Sequence, residues 1–347
     1  KSGAGELSTM QAQSVDEAGT TLIKVSSGED LNAKLNEIRS DPGVEYAEPN
    51  YRLYAAEAPN DPRYSEQWVL KDNAYLYAPQ AWSDALYVTG SVDNAAPVLM
   101  AVLDTGIDYN HEDLAGRIEM YGFNAISGET VPGSVMDDSI SGHGTLVAGI
   151  AAAATNNGIG ISGTAGEFPV KILPVKVLDR FGTGTMLNVA QGIRWAADNR
   201  ARVINLSLGA RLPDYPNTLA EAVKYAQDKG ILVVAAGGND GGSVEGFYPA
   251  CLPGVISVGS TDNQNKKADF TTSECSVYAP GVSILSTLPS SIQYPGEPGR
   301  YGTMTGSSAS APMASAACAL LWSVYPQKSA DMIGDSVRYG NNYYGYP

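Results

Sequence analysis

Five runs of the chain are apolar at nearly every position and rich in β-branched residues: 98–104 (VLMAVLD), 170–178 (VKILPVKVL), 202–208 (RVINLSL), 231–236 (ILVVAA) and 255–260 (VISVGS). A strand with one wet face alternates polar and apolar positions, whereas a continuous apolar run belongs to a strand covered on both faces. Between the runs lie stretches with helical spacing, at 143–154, 186–199, 218–230 and 308–324. The alternation predicts an α/β domain with a mostly parallel central sheet and helices on both faces. Sites in such folds sit at the carboxyl ends of the strands.

The first 57 residues break this rhythm. Residues 20–27 (TTLIKVSS) read as a strand, and Leu31, Leu35 and Ile38 share one helical face. Pro42-Gly43 stops that helix, 44–54 reads as extended, and a further strand is expected near Leu7–Ala12. A unit this small buries little surface and is expected to lean on the rest of the chain. Residues 55–66, rich in proline and charge, read as an exposed linker.

Composition narrows the function classes. The chain has 347 residues, of which 44% are hydrophobic, enough for a large core. With 22 basic and 37 acidic residues the net charge is −15. Nucleic-acid binding needs a basic surface that displaces counterions from phosphates, so that class is excluded as an expectation. The longest apolar segment, Ala309 to Val324, is interrupted by Ser310, Pro312 and Ser315 and falls short of the roughly 20 apolar residues of a membrane span. It reads as a buried helix. Three cysteines do not make a disulfide framework. Cys251 and Cys275 bracket a region of turns and either pair or stay free, while Cys318 is expected as a buried thiol. The opening KSGAGELSTM lacks the basic-then-apolar pattern of an export signal.

Only two histidines are present. His143 lies between glycines at a helix start, and His111 follows an Asp-containing turn; either is compatible with a purely structural role. Asp104 ends an apolar strand, placed to orient an imidazole or to cap a turn. Ser308 opens the long apolar helix, where a nucleophile feels the helix dipole and a plain N-cap serine is equally at home. Asn239 follows another buried strand and suits an oxyanion donor or a turn. The four together carry more than each alone. A hydroxyl needs a base to become a nucleophile, the base needs an orienting carboxylate, and a tetrahedral intermediate needs a donor.

Asp104-Thr105-Gly106, the segment from His143-Gly-Thr to Ala148-Gly149, Ala-Gly-Gly-Asn239, and Gly306-Ser-Ser308-Ala-Ser-Ala-Pro312 resemble the four signature blocks of the subtilisin-like serine proteases, in the same order. The spacers PNDPRYSEQW, HEDLAGR, AAAATNNGIGISGTAG, VINLSLG and YAPG look closest to the thermitase branch. The resemblance covers about residues 58–335 and implies a three-layer subtilisin-like fold. It also implies a secreted, autoprocessed serine endopeptidase whose export signal is absent from this sequence. Ser308 corresponds to the nucleophile, His143 to the general base and then acid, Asp104 to the residue that holds the imidazole. Asn239 corresponds to the oxyanion donor beside the Ser308 N–H.

The same resemblance maps substrate and metal sites. Gly182-Thr183-Gly184 and Ser207-Leu208-Gly209 resemble the edges to which a peptide adds as a strand. Ala236-Gly237-Gly238 resembles the second wall of the pocket for the residue before the scissile bond. Phe247 falls at the pocket base, where many relatives carry a small residue, so a shallower pocket for small or medium apolar side chains is expected. Calcium is implied as cofactor, held by the carboxylates of Asp61 and Asp113, the side-chain oxygen of Asn157 and the carbonyls of Ala154, Ile159 and Ile161, all hard oxygens. Asp137 and Asp138 lie near a second calcium site of some relatives.

GVEYAEPNY resembles the end of the family's inhibitory propeptide. Residues 1–57 are therefore expected to be the later ββαβ part of an α+β ferredoxin-like propeptide. Its last strand, about Tyr51–Glu57, would lie in the cleft as a cleaved product, with the maturation cut between Leu53 and Pro59. Residues 58–347 would be the catalytic domain without the family's closing helix, a monomer acting on protein or peptide substrates. The chain departs from the family pattern at Leu146, Ser307, Ala309 and Met313, where relatives carry His, Thr, Met and His. These departures keep open a second class, a weakly catalytic homologue that binds proteins. An esterase is a third, but no G-x-S-x-G elbow surrounds Ser308.

Overall fold

The computed structural model describes residues 12–14, 19–26, 29–50, 58–71, 75–131, 133–292 and 300–340. The chain divides into two compact units, Lys1–Ala55 and Ala56–Pro347.

In the first unit, β1 (Ala12–Ser14) and β2 (Thr21–Ile23) form an antiparallel hairpin with Gln13 opposite Leu22. α1 (Leu31–Arg39) follows, its start marked by the Asp30 carboxylate, which accepts the Ala33 N–H at 3.3 Å. At its end Arg39 Nε donates to the Ala47 carbonyl at 2.8 Å. The extended segment expected over 44–54 is irregular through 44–50. Its remainder, the strand expected in the cleft and residues 7–11 lie outside the described residues.

The second unit contains, in chain order, α2 (Ala78–Thr89), β3 (Val98–Asp104), β4 (Phe123–Asn124), α3 (His143–Ala152), β5 (Val170–Lys176), α4 (Met186–Asp198), β6 (Val203–Leu206), β7 (Ala210–Arg211) and α5 (Asn217–Asp228). It continues with β8 (Leu232–Ala236), β9 (Phe247–Tyr248), β10 (Ile256–Thr261), β11 (Val277–Pro280), β12 (Ile284–Thr287), β13 (Tyr301–Met304), α6 (Ser307–Val324) and α7 (Ala330–Tyr339). Seven strands form one sheet in the order β11-β10-β8-β6-β3-β5-β4, every pair parallel. The order doubles back at β3, so a crevice opens beside the carboxyl end of that strand.

Both faces of the sheet are covered. Val98, Met100 and Val102 of β3 pack in one cluster with Val147 and Ile150 of α3 and Trp322 of α6. Ala101 and Leu103 turn the other way, toward Ile193 of α4 and Val223 of α5. This two-sided burial is why the strand reads as a continuous apolar run. Each predicted strand and helix of this unit is present, its ends displaced by at most two residues. All three cysteines are free, so Cys251 and Cys275 are not bonded. Cys318 is fully buried in α6, and burial pushes its thiol up to about 12. Among the described residues no helix is long and apolar enough to cross a membrane.

Candidate active site

β3 delivers Asp104, fully buried, to the crevice. His143 opens α3 immediately after Gly142, whose φ of 64° lets the chain turn into the helix. Gly144 allows the helix start to press on the strand end: a Cβ there would sit 2.0 Å from the Gly106 carbonyl oxygen and 3.2 Å from Asp104 Cβ. The approach sets His143 Nδ1 2.7 Å from Asp104 Oδ1, which also accepts the Thr105 N–H at 2.7 Å. The imidazole is 25% exposed, and its Nε2 takes no protein hydrogen bond among the described residues. Burial pulls the imidazole pKa down, but the charge and hydrogen bond of Asp104, with the charge of Asp137, outweigh it and hold the value above the ordinary one.

Asp137 and Asp138, expected near a second calcium site, are engaged by protein donors. Asp137 is buried and accepts from Thr105 Oγ1 at 3.0 Å, Ser139 N–H at 3.1 Å, Thr145 N–H at 3.1 Å and Thr145 Oγ1 at 2.7 Å. It therefore holds the first turn of α3 and the strand end together. Asp138 accepts from Lys176 Nζ at 2.8 Å, and the buried Lys176 also donates to the Thr105 carbonyl. Neither role was legible in the sequence, where both residues sit in a polar loop without periodicity.

Ser308 occupies the first turn of α6, after Gly306. Its hydroxyl donates to the Ser207 carbonyl at 3.1 Å rather than to the imidazole. In return, Ser207 Oγ donates to the Ser308 carbonyl at 2.9 Å. That carbonyl is open because its helical partner four residues on is Pro312, which has no N–H. The arrangement continues inward: Asn205 Nδ2 donates to Ser207 Oγ at 3.0 Å, and Ser315 Oγ donates to Asn205 Oδ1 at 2.9 Å. Asn239 Oδ1 accepts the Ser307 N–H at 2.8 Å, and Ser307 Oγ accepts the Gly238 N–H at 3.1 Å. Asn239 Nδ2 and the Ser308 N–H have no protein partner among the described residues, two donors left open at one helix start.

The departures noted in the sequence have a consistent packing. Leu146, Ala309 and Met313 are all buried in one core cluster, where apolar groups join apolar neighbours. Ser307 retains a hydroxyl that bonds to the backbone.

The proposed substrate edges lie on either side. Gly182, Thr183 and Gly184 are exposed, in a turn whose Asp179 carboxylate accepts the N–H groups of Phe181 (2.9 Å) and Thr183 (3.0 Å). Ser207 is buried, Leu208 half-buried and Gly209 exposed. Ala236 ends β8, and Gly237 and Gly238 follow it. The ring of Phe247 stands between the two walls: a Cβ on Gly209 would lie 2.5 Å from its Cε1, and one on Gly238 would lie 3.0 Å from its Cε2.

The Subtilase family profile matches residues 96–338, and the profile of the fervidolysin N-terminal prodomain matches residues 4–50. The chain belongs to the subtilase family. It is similar to the thermophilic serine proteinase of Bacillus sp. (strain AK1), with 38% identity over 333 residues, 94% of this chain and 75% of that one. It is similar to thermitase of Thermoactinomyces vulgaris, with 40% identity over 265 residues, 76% of this chain and 85% of that one. Among solved structures it resembles a protease from Pseudoalteromonas arctica PAMC 21717, with a TM-score of 0.69 and 30% identity over 81% of this chain and 92% of the other. This subtilase is thus a serine endopeptidase with a prodomain segment at its N-terminus.

Subtilases generally bind calcium. In this subtilase Asp61 and Asp113, both buried, converge on the loop after α3. Asp61 accepts the N–H groups of Asn156 and Asn157 at 3.1 Å each and the Ser162 hydroxyl at 2.6 Å. Asp113 accepts from Asn157 Nδ2 at 3.0 Å and the Ile161 N–H at 2.8 Å, and its carbonyl accepts the Ala154 N–H at 2.8 Å. Burial, and then the charge of Asp61, push the Asp113 carboxyl up to about 6. Two buried carboxylates beside one loop suit a hard cation by donor type, and in this structure their oxygens are taken by N–H and O–H donors. Asn157 Oδ1 instead accepts the Ile159 N–H at 2.8 Å, so the amide must turn over to act as a ligand. No cluster of three or more His, Cys, Asp or Glu exists among the described residues, so beside Asp61 and Asp113 a cation there would rely on neutral oxygens.

Proposed function

We propose that Ser308, His143 and Asp104 form the catalytic triad of this subtilase, with Asn239 Nδ2 and the Ser308 N–H as its oxyanion donors. The observation that carries the reading is the 2.7 Å bond between His143 Nδ1 and the buried Asp104, which leaves Nε2 as the imidazole's open nitrogen. Ser308 Oγ leaves the Ser207 carbonyl by rotation about χ1 and attacks the scissile carbonyl while its proton passes to Nε2. Asp104 keeps the Nδ1 proton in place and stabilises the imidazolium. The developing oxyanion is met by the two open donors, which need no reorganisation when charge appears. His143 then protonates the leaving amine, and water hydrolyses the acyl-enzyme by the same groups in reverse.

The peptide is read by the edges at 182–184 and 207–209. The residue before the scissile bond enters between 207–209 and 236–238, where Phe247 limits depth and favours small or medium apolar side chains. Asp61, Asp113, Asn157 and the carbonyls of Ala154, Ile159 and Ile161 would hold calcium, which supplies charge neutralisation to the loop after α3. Residues 1–57 are an inhibitory prodomain segment and 58–347 the catalytic domain, a monomer that acts outside the cell. Support for these assignments comes from the prodomain match over 4–50 and from the agreement of residue types with the family's sites.

Intact mass and N-terminal sequencing test the triad. Wild type purified with calcium is expected to separate into a fragment near residues 1–57 and the remainder, while Ser308→Ala stays whole. Equal processing of both chains, or of neither, overturns the assignment.

A further inference from the structure

β7 and β9 pair with Arg211 opposite Phe247. From β7 the Arg211 guanidinium reaches over the loop that joins Asn239 to Phe247. Its Nε donates to Asp240 Oδ2 at 2.5 Å and its Nη2 to Asp240 Oδ1 at 3.0 Å, a two-pronged grip that a lysine could not reproduce. Nη1 also donates to the Glu245 carbonyl at 2.9 Å, and Nη2 to the Ser243 carbonyl at 2.7 Å. Gly242 makes room, since a Cβ there would sit 2.4 Å from Nη2. The guanidinium carbon lies 5.9 Å from the centre of the Phe247 ring. Arg211 thus closes residues 240–245 into a clasp from which Phe247 emerges. The far side of the loop is tied separately, by Gly241 N–H to Phe270 O (2.9 Å), Ser273 N–H to Gly242 O (2.8 Å) and Val244 N–H to Ser273 O (3.0 Å). Removing the Arg211 side chain releases its bonds to Asp240, Ser243 and Glu245 and leaves the backbone bonds of the loop and the β7–β9 pairing in place.

We propose that Arg211 is a specificity-determining residue whose clasp on 240–245 keeps Phe247 seated between Gly209 and Gly238, and so fixes the depth of the pocket for the residue before the scissile bond. The proposal rests on the pocket reading given above. Asp240 is the fixed end of the clasp; the hydrogen bond from Arg211, before any other cause, holds its carboxyl down at about 2. The clasp therefore stays charged on both sides across the working range of a protease. Without it, Phe247 is free to swing away from the two glycine backbones, and larger side chains enter.

The test uses the full chain after maturation, with active enzyme counted by a serine-directed titrant. Three peptides differ only in Ala, Leu or Phe before the scissile bond. Wild type is expected to favour Ala over Phe, and Phe247→Ala to raise the Phe/Ala ratio of kcat/KM roughly tenfold, the scale of a few methylenes of pocket space. Arg211→Ala is expected to raise the same ratio roughly threefold or more, chiefly through a lower KM for the Phe peptide, and to add nothing in the Phe247→Ala background, as for residues acting through one another. If Arg211→Ala alters all three peptides equally, the clasp is only structural and the proposal fails while the pocket reading stands. If Phe247→Ala leaves the ratio unchanged, the pocket reading fails and takes the proposal with it. Should Arg211→Ala not mature, Asp240→Asn keeps the bonds to the Ser243 and Glu245 carbonyls and shifts the ratio in the same direction; no shift there overturns the clasp.

Discussion

Asp137 offers the sharpest test of how the catalytic helix is held. Replacing it by alanine strips the acceptor from four donors. The hydroxyls of Thr105 and Thr145 turn toward other acceptors, but the N–H groups of Ser139 and Thr145 are fixed by the backbone and buried. A buried donor left without a partner costs about 1–3 kcal/mol, so two cost about 2–6 kcal/mol. At roughly 2–4 °C per kcal/mol for a domain of 150–250 residues, the midpoint of this somewhat larger unit falls by about 10 °C. Asp137→Asn keeps one acceptor oxygen and is expected to lose about half as much, while removing the charge. Calorimetry in a Ser308→Ala background avoids self-digestion. In the active background, the acid limb of kcat/KM reports His143, which must be unprotonated to accept the serine proton. Asp137 is one of the charges that raise the imidazole pKa, so its neutralisation lowers that pKa and moves the acid limb to lower pH. The plateau drops as the imidazole loses its fixed seat. An unmoved acid limb together with a midpoint within about 2 °C of wild type refutes the reasoning.

Other expectations follow from the same geometry. Asn239→Leu removes one oxyanion donor and is expected to lower kcat by roughly 10²–10³ with little change in KM, the range established for subtilisin itself; an equal rise in KM with kcat intact would assign Asn239 to substrate binding instead. Chelation of calcium is expected to lower the thermal midpoint of Ser308→Ala, and Asp61→Asn to abolish the difference between chelator and excess calcium; identical midpoints in both conditions for the unsubstituted metal site would exclude a cation there. Thiol titration in denaturant without reductant is expected to count three free cysteines, with Cys318 silent in the native protein; a count of one would mean that Cys251 and Cys275 are bonded.

The parts legible in the sequence share a cause. Strands buried on both faces must be apolar throughout, so β3, β5, β6, β8 and β10 announce themselves, and the candidate residues lie where such runs stop. Asp104, His143, Asn239 and Ser308 each sit at an element boundary flanked by glycine, threonine or serine. The two-residue strands β4, β7 and β9 are defined only by the partner they meet, so no local pattern marks them. Asp137 resisted reading for a similar reason. Its role is set by Gly144 letting α3 close on β3, a tertiary approach, and the family resemblance offers only a nearby calcium site in some relatives. Arg211 has no signal in the sequence, because nothing nearby reveals that the loop at 240–245 folds back beneath it. Ser207 was read as a substrate edge, and its bond to the carbonyl released by Pro312 emerges only once α6 lies across β6.

The position of α6 has a consequence for the order of assembly. The helix that carries Ser308 follows every strand of the seven-stranded sheet in the sequence, yet it packs against β3, β6, β8, β10 and β11 and against α3. Its slot does not exist until the parallel strands, far apart in sequence, have found one another, and such non-local pairing is slow. On the proposed triad, a nascent chain that stops short of α6 holds a base and a carboxylate but no nucleophile. One that has made α6 still lacks hydrolytic power until that helix docks. Topology alone thus keeps a half-made protease from digesting itself and its neighbours during synthesis.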